Sequence, residues 1–141
     1  MAHSSACFAA AVGVPAAPIW EALTCPHARY MRNLSLRSCW TVGSRVELGP
    51  PQSCLTGVVL LVEPCRRLSF SLEDPSGSTV YVTWELRGCG QPTRPGPSTV
   101  VRLWVDESEG SDRDELEDIW LPVLGALTDA VGGHQPAPDG A

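Results

Sequence analysis

The sequence predicts an α+β fold in which a curved antiparallel sheet of about six strands wraps around a long C-terminal helix, with two short helices after the first strand. Two observations predict it. β-rich runs joined by turn residues fill most of the chain from residue 42 to residue 106, and strands joined by short turns pair antiparallel. Near the C-terminus, apolar residues recur every three or four positions, as in an amphipathic helix that can cover the apolar face of a sheet.

The N-terminal part of the chain predicts one strand and two short helices. Apolar side chains recur at period two in residues 7–14, and Pro15 ends that strand. Pro18 suits the first turn of a helix, where its missing N–H is not needed, and an apolar stripe follows in residues 19–23. We interpret residues 27–32 as the second short helix.

The remaining strands are predicted from β-rich composition and from alternation of apolar and polar residues. They span residues 42–48, 55–63, 68–72, 79–87 and 99–106. Residues 34–40 fit either a loop or a ragged edge strand. In the last two strands the alternation predicts that Val82, Trp84 and Leu103 face the core and that Trp104 faces outward.

The terminal helix carries its apolar residues on one face: Leu116, Ile119, Trp120, Val123, Leu127 and Val131. Pro122 lies inside this pattern, so it either kinks the helix or marks where the helix begins. Residues 74–77 are predicted to form a hairpin turn, and residues 88–97, rich in Gly and Pro, a loop. A single domain over residues 1–133 and a disordered tail over residues 134–141 complete the prediction.

Composition excludes several classes of function. The net charge of −6 argues against a nucleic-acid binder, which needs a basic face, and no run of 18 apolar residues predicts a membrane span. The six cysteines show no zinc-type spacing, so we expect reduced thiols in the cytoplasm and no metal site. No P-loop or dinucleotide fingerprint occurs, so no cofactor is predicted. The oligomeric state stays open, with a homodimer as one option.

Four segments resemble one known family. They are the segment from Val12 to His27 with its Pro-Ile-Trp-Glu-Ala-Leu-Thr helix, the strand pair from Gly57 to Phe70, the strand Val82-Thr-Trp-Glu-Leu86, and Trp120 with Leu124 and Leu127. In this order they resemble the START-like superfamily, also called SRPBCC, and its helix-grip fold. The branch they resemble is the one related to the activator of the 90-kDa heat-shock protein ATPase. Tyr30, Met31 and Arg32 depart from the aromatic residues usual after the second helix.

The resemblance implies a cavity between the sheet and the last helix. Such cavities are mostly apolar, with a few polar groups that orient the ligand. The predicted wall residues, for each of which ordinary core packing is the alternative, are Trp20, Tyr30, Trp40, Leu60, Phe70, Val82, Trp84, Leu103, Trp120 and Leu124. Cys25 and Cys39 are placed at the same rim.

Three functions follow from these observations. The first is binding of a small hydrophobic or aromatic molecule in the cavity. The second is a biosynthetic enzyme in the same cavity, a cyclase, dehydratase or isomerase acting on a polyketide-like substrate, as in members of the fold that the chain resembles. His27, Tyr30, Arg32 and Glu73 would be its first catalytic candidates, because proton transfer near neutral pH most often uses histidine. The third is a chaperone-interacting module.

Overall fold

The computed structural model describes residues 4–25, 27–28, 36–49, 55–73, 78–88, 99–107 and 113–131. The elements in chain order are β1 Ser4–Val12, α1 Ala16–Leu23, β2 His27–Ala28, β3 Leu36–Ser38, β4 Arg45–Leu48, β5 Leu55–Glu63, β6 Arg67–Glu73, β7 Thr79–Gly88, β8 Thr99–Glu107 and α2 Arg113–Ala130. The predicted turn at 74–77, most of the predicted loop at 88–97 and the predicted tail lie outside the described residues.

The strands form one antiparallel sheet in the order β1-β8-β7-β6-β5-β4-β3-β2. The sheet is curled but not closed, and the last helix is C-terminal, so the predicted α+β helix-grip architecture is confirmed. The described chain contains eight strands rather than about six, because two short strands, β2 and β3, extend one edge. At the other edge, β1 pairs with β8 along its whole length, from Ser4 opposite Glu107 to Val12 opposite Thr99.

The prediction of a second short helix over residues 27–32 is wrong for its first two residues. His27 and Ala28 form β2 and pair with Arg37 and Leu36 of β3, while residues 29–32 lie outside the described residues. A two-residue strand is too short to show a period in sequence, so its partner strand rather than its own pattern determines it. For residues 34–40 the strand alternative holds at Leu36–Ser38, which form β3 between β2 and β4 rather than at the edge of the sheet.

The two faces of the sheet differ in chemistry. The concave face carries buried apolar side chains, and the predicted alternation of the last strands is confirmed. Val82, Trp84 and Leu103 have no exposed surface, whereas Trp104 is 47% exposed on the outer face. Thr99, a buried polar residue at the start of β8, donates a hydrogen bond from Oγ1 to the carbonyl of Val14 at 2.8 Å. That bond satisfies the hydroxyl and fixes the end of β1 against β8.

One predicted wall residue, which lies at a β-bulge in β5, is corrected by the structure. Val59 pairs with Phe70, but Leu61 pairs with Ser69, so Leu60 is an extra residue in its strand. Leu60 is 43% exposed, because it alternates with the buried Val59 and so faces away from the concave face. It therefore cannot line a space beneath the sheet.

Two helices cover the concave face. In α1, Ile19 and Leu23 are buried, and the helix ends where the backbone N–H and Oγ1 of Thr24 both donate to the carbonyl of Trp20, at 2.9 and 2.8 Å. In α2 the buried residues are Trp120, Val123, Leu124 and Leu127. This helix packs chiefly against β1 and also contacts β8 and α1.

The helix α2 is continuous across Pro122. The proline is exposed and lies within Arg113–Ala130, so it does not mark the beginning of the helix. Ile119, predicted on the apolar face, is instead 48% exposed. Neither helix in the described part of the chain has both the length and the apolar composition that crossing a membrane requires.

Gly57 provides a test of the register between β5 and β6. A Cβ atom at this position would overlap the backbone carbonyl of Ser71, and the neighbouring Val58 N–H donates to Ser71 Oγ at 3.2 Å. We expect Gly57→Ala to lower the free energy of unfolding by about 2–3 kcal/mol, because backbone must move to admit the methyl group. Urea denaturation followed by circular dichroism measures it.

Gly125→Ala is the matched control. Gly125 is exposed in α2 with open space around its Cα, so the added methyl group should stabilise the protein by about 0.5–1 kcal/mol. Equal stabilities for the two variants would contradict the described register.

Candidate functional site

Trp40 forms an aromatic corner at the β3 end of the concave face. Its backbone N–H is bound by Ser38 Oγ at 3.0 Å, and its indole N–H donates to the carbonyl of Cys25 at 3.0 Å. Its ring meets Phe70 edge to face, with ring centroids 5.4 Å apart and an interplanar angle of 65°. Trp40 is therefore fixed at its backbone, at its polar atom and at its apolar ring.

Trp40 also has an unusual backbone conformation, with φ at 56°. A large side chain in the left-handed region costs about 1–3 kcal/mol and persists only where the surroundings hold it. Here the following turn provides that support. Gly43 N–H donates to the Val59 carbonyl at 2.8 Å, and Val59 N–H donates to the Ser44 carbonyl at 3.0 Å, so the turn is bound to β5.

Apart from Leu60, which faces outward, and Tyr30, which lies outside the described residues, the predicted wall residues divide into two groups. Phe70, Val82, Trp84 and Leu103 have no exposed surface, so no space large enough for water lies against them. The second group comprises Trp40, Trp120 and Leu124, with 6%, 5% and 3% of their surface exposed, and Trp20, which is half-buried. The first group packs as core at the centre of the sheet, and the second surrounds it. The role of either group in ligand binding stays a prediction.

The predicted catalytic residues are not brought together by the described structure. His27 lies in β2 opposite Arg37, while its side chain, Tyr30 and Arg32 lie outside the described residues. Glu73 is exposed at the end of β6, where it alternates with the buried Leu72 and so belongs to the outer face. Because Glu73 projects away from the concave side, it is removed from the candidates for chemistry in the cavity.

A row of alternating charges crosses the outer face. Cross-strand register places Glu63, Arg67, Glu85 and Arg102 next to one another on β5, β6, β7 and β8. The nitrogen-to-oxygen distances are 3.9 Å from Arg67 to Glu63, 3.8 Å from Arg67 to Glu85 and 4.0 Å from Arg102 to Glu85. Pairs this exposed each contribute about 0–1 kcal/mol, so their main effect is to keep this part of the face polar.

Beside this row lies an open cleft of about 490 Å³. Cys7, Tyr81, Thr83, Trp104 and Asp106 contribute to its lining. Burial raises the pKa of the Cys7 thiol. The charge of Arg102 lowers this pKa and the charge of Glu85 raises it, each by less than burial does. Cys7 therefore stays protonated to a higher pH than an ordinary cysteine, which disfavours it as a nucleophile. Alternation along β8 predicts that Trp104 faces outward, but only the register between the strands assembles this cleft.

Metal-ligating side chains do not gather in the part of the chain that the structure describes. His, Cys, Asp and Glu side chains form no group of three or more there that could hold an ion.

No protein-family model matches the chain, and no curated protein matches it in sequence. Solved structures do match. DynU16, a putative protein in the dynemicin biosynthetic locus, superposes with a TM-score of 0.70 at 24% identity, over 90% of this chain and 46% of that one. An activator of HSP90 from Plasmodium falciparum gives a TM-score of 0.69 at 15% identity, over 91% and 96% of the two chains.

An enzyme shares the architecture as well. Norcoclaurine synthase from Thalictrum flavum, solved as a point mutant with a transition-state analogue, gives a TM-score of 0.62 at 13% identity, over 96% of this chain and 98% of that one. Identities this low establish the fold alone. The long α2 beside a curled antiparallel sheet, and its match to these structures, therefore give this chain the helix-grip fold of the START-like proteins.

Proposed function

We propose that this protein binds a small apolar, aromatic molecule at the Trp40 end of the concave face. The observation that carries the proposal is the held conformation of Trp40. A tryptophan with φ at 56° is an outlier for so large a side chain, and such outliers concentrate at sites of function. Glycine or asparagine would form the same turn at lower cost, so the turn alone gives no reason for a tryptophan at this position.

The bonds of Trp40 suit a binding wall. Its indole N–H is already satisfied by the Cys25 carbonyl, so an apolar molecule bound against the ring would leave no polar atom of the indole without a partner. Phe70 supports that ring from the core side by an edge-to-face contact. Aromatic rings held in this way bind flat partners by offset stacking, which is favourable by about 0.5–1.5 kcal/mol beyond the area buried.

The structural neighbours support the proposal at the level of the fold. One of them is an enzyme solved with a transition-state analogue, and another is encoded in a biosynthetic locus. A biosynthetic enzyme acting on a polyketide-like substrate is therefore the second candidate function. Its candidate catalytic residue His27 begins β2, two residues after Cys25, whose carbonyl accepts the Trp40 indole bond. A third neighbour is an HSP90 activator, which keeps a chaperone-interacting module as the third candidate.

Binding of 2-naphthol, a flat and uncharged probe, tests the site. We expect the wild-type protein to bind it, and Trp40→Phe to weaken the affinity about fivefold to tenfold, because the variant loses ring area and the bond to the Cys25 carbonyl. Isothermal titration calorimetry measures the affinity, and thermal unfolding confirms that both proteins are folded.

Trp104→Phe is the matched control, since it makes the same chemical change on the outer face. It should leave the affinity for 2-naphthol unchanged. If the probe does not bind, or if Trp104→Phe weakens binding while Trp40→Phe does not, the proposal is wrong, and the second result would place the site in the outer cleft.

Incubation with a linear poly-β-ketone thioester separates binding from catalysis. A binding protein should return this compound unchanged beyond its spontaneous cyclisation in buffer, as followed by liquid chromatography and mass spectrometry. Cyclisation faster than in buffer that disappears in His27→Ala would contradict simple binding and establish the enzymatic candidate. The His27→Ala protein should keep its affinity for 2-naphthol in either case, which shows that the variant is folded.

A further inference from the structure

Two exposed cysteines stand at the ends of the segment that includes β2 and β3. Cys25 follows Thr24, whose N–H and hydroxyl close α1, and Cys39 lies between Ser38 and Trp40. Both cysteines are free thiols and both are exposed. Neither has a role in the core, so burial gives no reason for a cysteine at either position.

The strand register brings these two cysteines together. In the antiparallel pair β2–β3, Ala28 lies opposite Leu36 and His27 opposite Arg37. Continued by two positions, this register places residue 25 opposite residue 39. A hydrogen bond outside the strands supports the extension, because the Trp40 indole donates to the Cys25 carbonyl at 3.0 Å and so ties the residue after Cys39 to Cys25.

Residues directly opposite each other in an antiparallel pair have the separation that a disulfide needs. Their Cα atoms lie about 4.5–5.5 Å apart, within the roughly 4.4–6.8 Å that disulfides span, and their side chains leave the same face of the sheet. Exposure of both thiols leaves them open to an oxidant in solution. The anchored neighbours Thr24 and Trp40 keep the separation from widening.

We propose that Cys25 and Cys39 are an oxidative modification site, which hydrogen peroxide converts to an intramolecular disulfide and thiols reverse. One thiolate attacks a peroxide oxygen and becomes a sulfenic acid, releasing one water molecule. The second thiol then attacks that sulfur and releases the second water molecule. Two thiols lose two hydrogen atoms in total, and the peroxide is reduced to two molecules of water.

The disulfide would join the end of α1 to the residue that precedes Trp40. It would close a loop of roughly 15 residues, which for a protein of this size corresponds to a rise in melting temperature of about 5–10 °C. The proposal does not depend on the ligand site, because it concerns only the pairing of the two strands.

The other described cysteines serve as internal comparisons. Cys7 is half-buried in β1, and burial raises the pKa of its thiol. Cys65 is half-buried in the turn between β5 and β6, at φ 61°. Iodoacetamide should therefore alkylate Cys25 and Cys39 before Cys7, because both are exposed whereas burial protects Cys7 and raises the pKa of its thiol.

Peptide mapping of the oxidised full chain tests the proposal. After treatment with hydrogen peroxide and blocking of residual thiols, trypsin digestion without reductant should yield the peptide of residues 1–29 linked to that of residues 38–45, lighter by two hydrogen atoms than the sum of the two. Dithiothreitol should separate them. Cys7→Ser should retain the link and the rise in melting temperature, and Cys25→Ser should lose both.

Oxidation in urea is the control for proximity, since the unfolded chain should form this link far less selectively. The proposal is overturned if the folded protein gives no linked pair of these peptides, if links occur only between chains, or if the link survives in Cys25→Ser. A link that forms equally well in urea also overturns it, because proximity in the fold would then contribute nothing.

Discussion

The pairing of β1 with β8 is the contact on which the rest of the architecture depends. It brings the first strand of the chain against the last along its whole length, from Ser4 to Val12. The pairing adds β1 to the edge of the sheet, and α2, which follows β8 in the chain, packs chiefly against β1. Because the two partners lie far apart in sequence, this contact requires the closure of nearly the whole chain.

The curl of the sheet separates two chemical environments. On the concave side, strand after strand contributes side chains with almost no exposed surface, and the space at the centre is filled by Phe70, Trp84 and Leu103. On the outer side, a row of alternating charges adjoins an open cleft beneath Trp104. A ligand site beneath the sheet is thus restricted to the ends of the concave face, where Trp40 is the held aromatic residue.

The corner around Trp40 links the ligand proposal to the thiol proposal by geometry. The hydrogen bond from its indole to the Cys25 carbonyl is used by both, because it fixes the position of the ring and ties Cys25 to the residue after Cys39. The two proposals nevertheless fail separately. The first depends on a ligand reaching the Trp40 ring, and the second depends only on the register of β2 and β3, continued by two positions to Cys25 and Cys39.

The sequence by itself determined the antiparallel sheet, the terminal helix and the direction of most side chains, because alternation at period two and spacing at three to four residues are local properties. It could not determine β2, whose two residues have no period, nor the bulge at Leu60, because a bulge depends on how the partner strand is paired. It suggested Trp40 only as one aromatic residue among several. The left-handed backbone, the bond to Cys25 and the cleft on the outer face arise from contacts between distant segments, and only the tertiary structure decides those.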